Sequence, residues 1–199
     1  MVLMPETKAI LIKLSSVALT REKQIHLQEE FSRYVQATNW VIKALIKNRL
    51  TKQQQIVEAI KDEFYKRFDS RPSYLNDVVR SAAAEISRHR KLAMTVRSMR
   101  DKTPYFRKGR AVFSQPIVKI SEKALILKLA DHTMIPMPYD KFSRNQNAAM
   151  IAAILADEPQ GTGATGEILS NKRYHRIRLT WNSAGFVNIA IKANLPVSK

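Results

Sequence analysis

Residues 88 to 110, RHRKLAMTVRSMRDKTPYFRKGR, hold nine Lys or Arg against one acid, Asp101, and account for +8 of the chain's formal +17. Such side chains bind anions: Arg forks onto phosphate oxygens through parallel hydrogen bonds, and Lys acts as a mobile point charge. The candidate phosphate ligands are Arg88, Arg90, Lys91, Arg97, Arg100, Lys102, Arg107, Lys108 and Arg110. Tyr105 and Phe106 are threaded among them, and a ring beside cations can stack a nucleobase. Tyr105 is the preferred stacking residue. The bland alternative is that both rings pack where a helix meets a sheet. A second basic cluster, Lys172, Arg173, His175, Arg176 and Arg178, decorates a hairpin at Asn171, and strand alternation puts Arg176 and Arg178 on one face. Phosphate contact is one reading of it. The other is a charged edge strand that resists edge-to-edge pairing.

Other chemistries find no matching pattern. With no cysteine there is no disulfide, thiolate zinc site or cysteine nucleophile. His26, His89, His132 and His175 are isolated and lack HxxxH or HExxH spacing, so no metal is expected. Asp62-Glu63 and Asp157-Glu158 are sequence neighbours that point apart, whereas two-metal chemistry needs carboxylates converging from separate elements. The GTGATG segment, residues 161 to 166, is followed by no Lys-Ser/Thr and opens no helix, so it reads as a linker rather than a phosphate cradle. The expectation is a non-enzyme without cofactor.

Composition frames that expectation. The 45% hydrophobic content is ordinary for a folded chain, while 34 Lys and Arg against 17 acids imply self-repulsion that a polyanion relieves. Nucleic acid is a commoner source of such counter-charge than an anionic membrane. No run approaches the ~20 apolar residues a bilayer span needs. The N-terminal residues lack a basic region followed by an apolar one, so the cytoplasm is the expected location.

The basic stretch needs elements to position it. Residues 7 to 14, TKAILIKL, read as a strand whose partners come from later in the chain, which makes the segment between an insertion into a sheet or barrel. Three- and four-residue apolar spacing from Leu27 to Leu45 predicts a helix over about 21 to 48, with Thr20 before it. Within it, Asn39-Trp40 is best read as a core Trp beside a capped amide. Thr51 and Gln54 fit a capping box for a second helix. A third is expected from Ser73 to about Met99, with Leu75, Val78, Val79, Ala82, Ala83, Ile86, Ala93 and Val96 facing inward and the cations outside. Short connections make the three an antiparallel bundle.

After Pro104 the apolar period becomes two. Runs at 111 to 113, 117 to 120, 124 to 129 and 133 to 137 predict an antiparallel meander, with Pro136 and Pro138 marking the last strand as an edge. Residues 144 to 156 predict one short helix. Runs at 167 to 170, 174 to 181 and 186 to 191 complete the sheet, with turns at 171 to 172 and 182 to 185.

Several motifs resemble the N-terminal half of the transposon-encoded TnpB proteins, RNA-guided nucleases related to type V CRISPR effectors. Leu19-Thr-Arg-Glu-Lys23 is similar to that family's entry into its first helix, and Asn39-Trp40-Val-Ile-Lys-Ala-Leu45 to its Tyr-Asn-Trp-Ala-Leu segment. Thr103-Pro-Tyr-Phe-Arg-Lys108 with Phe113 resembles its Pro-x-Phe-Lys-Lys motif and trailing Phe. Ile135-Pro-Met-Pro138 resembles its proline-bearing strand, and Gly166-Glu-Ile-Leu with residues 174 to 181 its last hairpin. The resemblance implies an α+β fold: a small antiparallel wedge-like β-barrel from residues 1 to 20 and 104 to 199, with a three-helix lobe, residues 21 to 103, inserted. It also implies a recognition function, in which base pairing reads most of the sequence and protein reads shape, backbone and a few base edges. In that family a RuvC-like nuclease domain with three acidic residues and a zinc ribbon follows. These 199 residues hold no counterpart, so no catalytic residue carries over. The expectation is therefore a non-catalytic binder of RNA first and duplex DNA second. The alternative is a structural subunit that docks a separately encoded nuclease half.

Overall fold

A computed structural model describes residues 7–48, 53–156 and 173–196. The chain is α+β with antiparallel sheets, and it divides into two compact units, Met1–Lys23 with Phe113–Lys199, and Gln24–Val112. The sequence reading put the divisions at 20/21 and 103/104, the second of them nine residues earlier in the chain.

In the first unit, β1 (Thr7–Ser15) pairs antiparallel along its whole length with β7 (Val187–Pro196), from Thr7↔Pro196 to Ser15↔Asn188. β6 (Tyr174–Trp181) pairs with the other side of β7, and β2 (Arg110–Ser114) completes the order β1-β7-β6-β2. Period-two alternation turns Ile12, Ile191 and Ile177 inward in one row and Leu14, Ile189 and Leu179 in the next. A register shift between Tyr174 and Ile177 lets both point inward despite their odd spacing.

A second sheet contains β3 (Val118–Ile120), β4 (Ala124–Lys128) and β5 (Met134–Pro138), in that order. β5 is an edge, where the missing amide donors of Pro136 and Pro138 interrupt no ladder. The expected four-strand meander is corrected here, because β2 lies beside β6 in the larger sheet. Gln115, just beyond β2, donates its side-chain amide to the Tyr174 carbonyl at 2.8 Å. The two sheets do not form a closed barrel among the described residues. A single bridge, Ser16↔Tyr139, joins the chain after β1 to the chain after β5.

The helix expected over 144 to 156 is two helices, α4 (Lys141–Gln146) and α5 (Ala148–Leu155). Asn147 breaks it: its buried side-chain amide donates to the carbonyls of Ser143 at 2.7 Å and Lys13 at 3.3 Å. Asp140 caps α4 by accepting from the Ser143 amide at 3.0 Å, and the Ser15 amide of β1 donates to Ser143 Oγ at 3.2 Å. These bonds cover the open edge of β1. The expected strand at 167 to 170, the turn at 171 to 172, the GTGATG segment and the Thr51 capping box lie outside the described residues.

The second unit is built on α1 (Arg21–Asn48), α2 (Gln53–Arg67) and α3 (Pro72–Thr95). Leu27, Phe31, Tyr34, Val41, Ile42 and Leu45 of α1 are buried, as are Ile56, Ile60 and Phe64 of α2 and Tyr74, Leu75, Val78, Val79 and Ala82 of α3. Trp40 is half-buried against Phe64 and Phe68, with ring centroids at 6.3 and 5.8 Å. Asp69 accepts from the Arg71 amide at 2.8 Å, and Pro72 opens α3 in a position that needs no amide donor.

α3 departs from expectation at its C-terminal end. It stops at Thr95, a 3-10 turn follows at Arg97–Met99, and no residue of α3 beyond Ile86 is fully buried. Ala83 is exposed, Ala93 is half-buried and Val96 is 39% exposed. At 1.5 Å per residue α3 runs about 36 Å and α2 only about 22 Å, so α2 cannot flank α3 along its whole length. The last turns of α3 outreach that neighbour.

Candidate nucleic-acid interface

The returning segment between α3 and β2 is held to the helices by buried polar groups. The Asn39 amide spans both backbone groups of Phe106: Nδ2 donates to its carbonyl at 3.1 Å, and Oδ1 accepts from its amide at 2.8 Å. The buried Tyr34 hydroxyl lies 2.9 Å from the Val112 carbonyl, 2.8 Å from Ser81 Oγ and 3.2 Å from the Asp77 carbonyl. The Phe106 ring, 3% exposed, sits 5.9 Å from that of Tyr34. Phe106 is therefore a core residue with no free face for a base. Its neighbour Tyr105 is 56% exposed.

Two of the nine cations share one carboxylate. Glu85, with 8% of its side chain exposed, accepts from Arg88 and from Arg110, each at 2.5 Å. The Arg110 guanidinium also lies over the Phe106 ring, 4.4 Å from its centroid. Arg110 is thus a structural cation first. Glu85 was not singled out in the sequence, although its place three residues before Arg88 is a helical ion-pair spacing.

Arg90, Lys91, Arg97, Arg100, Lys102, Arg107 and Lys108 are all exposed, and none makes an ion pair among the described residues. Arg100 Nε donates to the Ala93 carbonyl at 3.2 Å, over the end of α3, where a cation meets the helix dipole favourably. Gly109, at φ 81°, turns the chain between Lys108 and Arg110 in a conformation that side chains resist. The arrangement places one exposed phenol ring among exposed cations. No family model and no curated protein matches the chain.

In the second cluster, Lys172 lies outside the described residues. Arg173 is half-buried, and its carbonyl accepts from the Asn194 amide at 2.7 Å. Arg176 is half-buried and Arg178 exposed. Among the described residues no three His, Asp or Glu converge as metal ligands, and no helix is long and apolar enough to cross a membrane.

Proposed function

We propose that this chain is a non-catalytic nucleic-acid-binding protein. The observation that supports this most is Tyr105, exposed beside Arg107, Lys108 and Lys102 while Phe106 is buried under the Asn39 clamp. An outward ring among cations that have no acid partner in the described residues suits a strand whose bases are splayed for stacking, which puts RNA ahead of duplex DNA. On this reading the sheets correspond to the wedge-like barrel of a TnpB-type protein and the helices to its recognition lobe. Guide RNA and target DNA are then the ligand class.

The test is binding of purified protein to structured RNA and to duplex DNA over a salt series, with sequencing of RNA that co-purifies. Five neutralised phosphates give log affinity a slope against log salt of about −3.5 on single strands and about −4.5 on B-DNA. A salt-independent affinity overturns the proposal.

A second reading is favoured by one observation: Leu92, Met94 and Val96 are 44%, 76% and 39% exposed on the uncovered end of α3. In that reading the surface docks a separately encoded protein and the charge serves solubility. A gel shift with no retardation at low salt supports it.

A further inference from the structure

We infer that the outer face of the four-stranded sheet is a second nucleic-acid contact, seating a phosphodiester between Lys13 and Arg178. This rests on the nucleic-acid reading and adds a site on the other unit. Lys13 and Arg178 both pair across from Ala190, so two long cations flank the smallest available side chain. Two interstrand steps separate their backbones by about 10 Å, a gap that both side chains can close over one phosphate. The next row on the same face is Ser15, Asn188 and Thr180, all neutral donors. Ser15 Oγ donates to Asn188 Oδ1 at 3.2 Å, so Nδ2 is the end of that amide left to donate. These six residues line a depression of about 320 Å³.

In the row on the other side, Lys192 pairs with Leu11, one two-residue step of roughly 6.8 Å from Ala190. That step is comparable to the advance from phosphate to phosphate along an extended single strand. Lys13, Arg178 and Lys192 are exposed, and none has an acid partner among the described residues. The face has no aromatic ring in these rows, so it grips backbone and leaves bases unread.

The experiment compares wild type with the double variant Lys13→Gln/Arg178→Gln on a fluorescent single-stranded RNA homopolymer, reading affinity by anisotropy across a salt series. Losing the one phosphate that the pair holds makes the slope shallower by about 0.7. Both side chains are exposed, so circular dichroism of the variants should match wild type. Tight wild-type binding with an unchanged slope in the double variant overturns this second site and leaves the basic stretch at 88 to 110 standing. A wild-type protein that binds no nucleic acid overturns both.

Discussion

Asn39 and Phe106, 67 residues apart, are joined by a two-point hydrogen-bonded clamp in which one side-chain amide satisfies both backbone groups of its partner. Replacing Asn39 with Ala leaves the Phe106 amide and carbonyl without their partner in a part-buried setting. Each orphaned group costs about 1–3 kcal/mol, so Asn39→Ala should lower unfolding free energy by at least about 2 kcal/mol. Urea denaturation measures it. A loss under half a kilocalorie would mean that water replaces the clamp at no cost.

The clamp also sorts two adjacent rings into different tasks. Tyr105→Ala removes an exposed ring and should leave stability nearly unchanged, while single-stranded binding weakens by about 1–3 kcal/mol. Phe106→Ala removes a buried ring and should cost about 3–5 kcal/mol of stability. Paired melts and anisotropy titrations on the two variants read both effects. Equal binding by Tyr105→Ala and wild type would remove Tyr105 from the interface.

This inside-outside split shows where the sequence stops being legible. Apolar periods of two and of three to four are local, so β1, β4, β6, α1, α2 and the start of α3 were readable. Asn39 is hydrogen-bonded as the core reading of that pair expected, whereas Trp40 is half-buried rather than a core residue. Pairing is not local: β2 finds β6 some sixty residues onward and leaves the meander. Nor was the buried state of Phe106 local, because Asn39 and Tyr34 of α1 set it from some seventy residues away. The apolar stripe on α3 had the right period to its end, but periodicity does not report how far a neighbouring helix extends. Glu85 illustrates the same limit, since Arg88 is its visible helical partner while Arg110 arrives only through the fold.

Glu85 sits under two arginines, so removing its charge should separate structural cations from binding ones. Glu85→Gln keeps the shape and deprives Arg110, with 28% of its side chain exposed, of its carboxylate partner among the described residues. Hydrogen bonds to a charged group contribute about 1.5–3 kcal/mol, and a loss of that order is expected in urea denaturation. Affinity for nucleic acid should hold or rise, because Arg88, with 58% of its side chain exposed, is released toward solvent. Weaker binding without weaker folding would assign Glu85 a role in the interface itself.

Glu30 gives the helical unit a pH dependence of unusual sign. It is 2% exposed, 3.1 Å from Arg33 and 3.9 Å from Arg71. Burial pushes its carboxyl above the ordinary value, outweighing the arginines that pull it down. A carboxyl with a raised folded value binds its proton more tightly in the native state than in the unfolded one. Its contribution is therefore most favourable at low pH and declines as pH rises from the ordinary carboxylate value through the raised one. In Glu30→Gln that decline is absent. The variant's melting temperature should gain on that of wild type as pH rises across this window, while the other carboxylates cancel in the difference. The opposite trend, with wild type gaining on Glu30→Gln, would show that Arg33 and Arg71 outweigh burial and hold the carboxyl below its ordinary value.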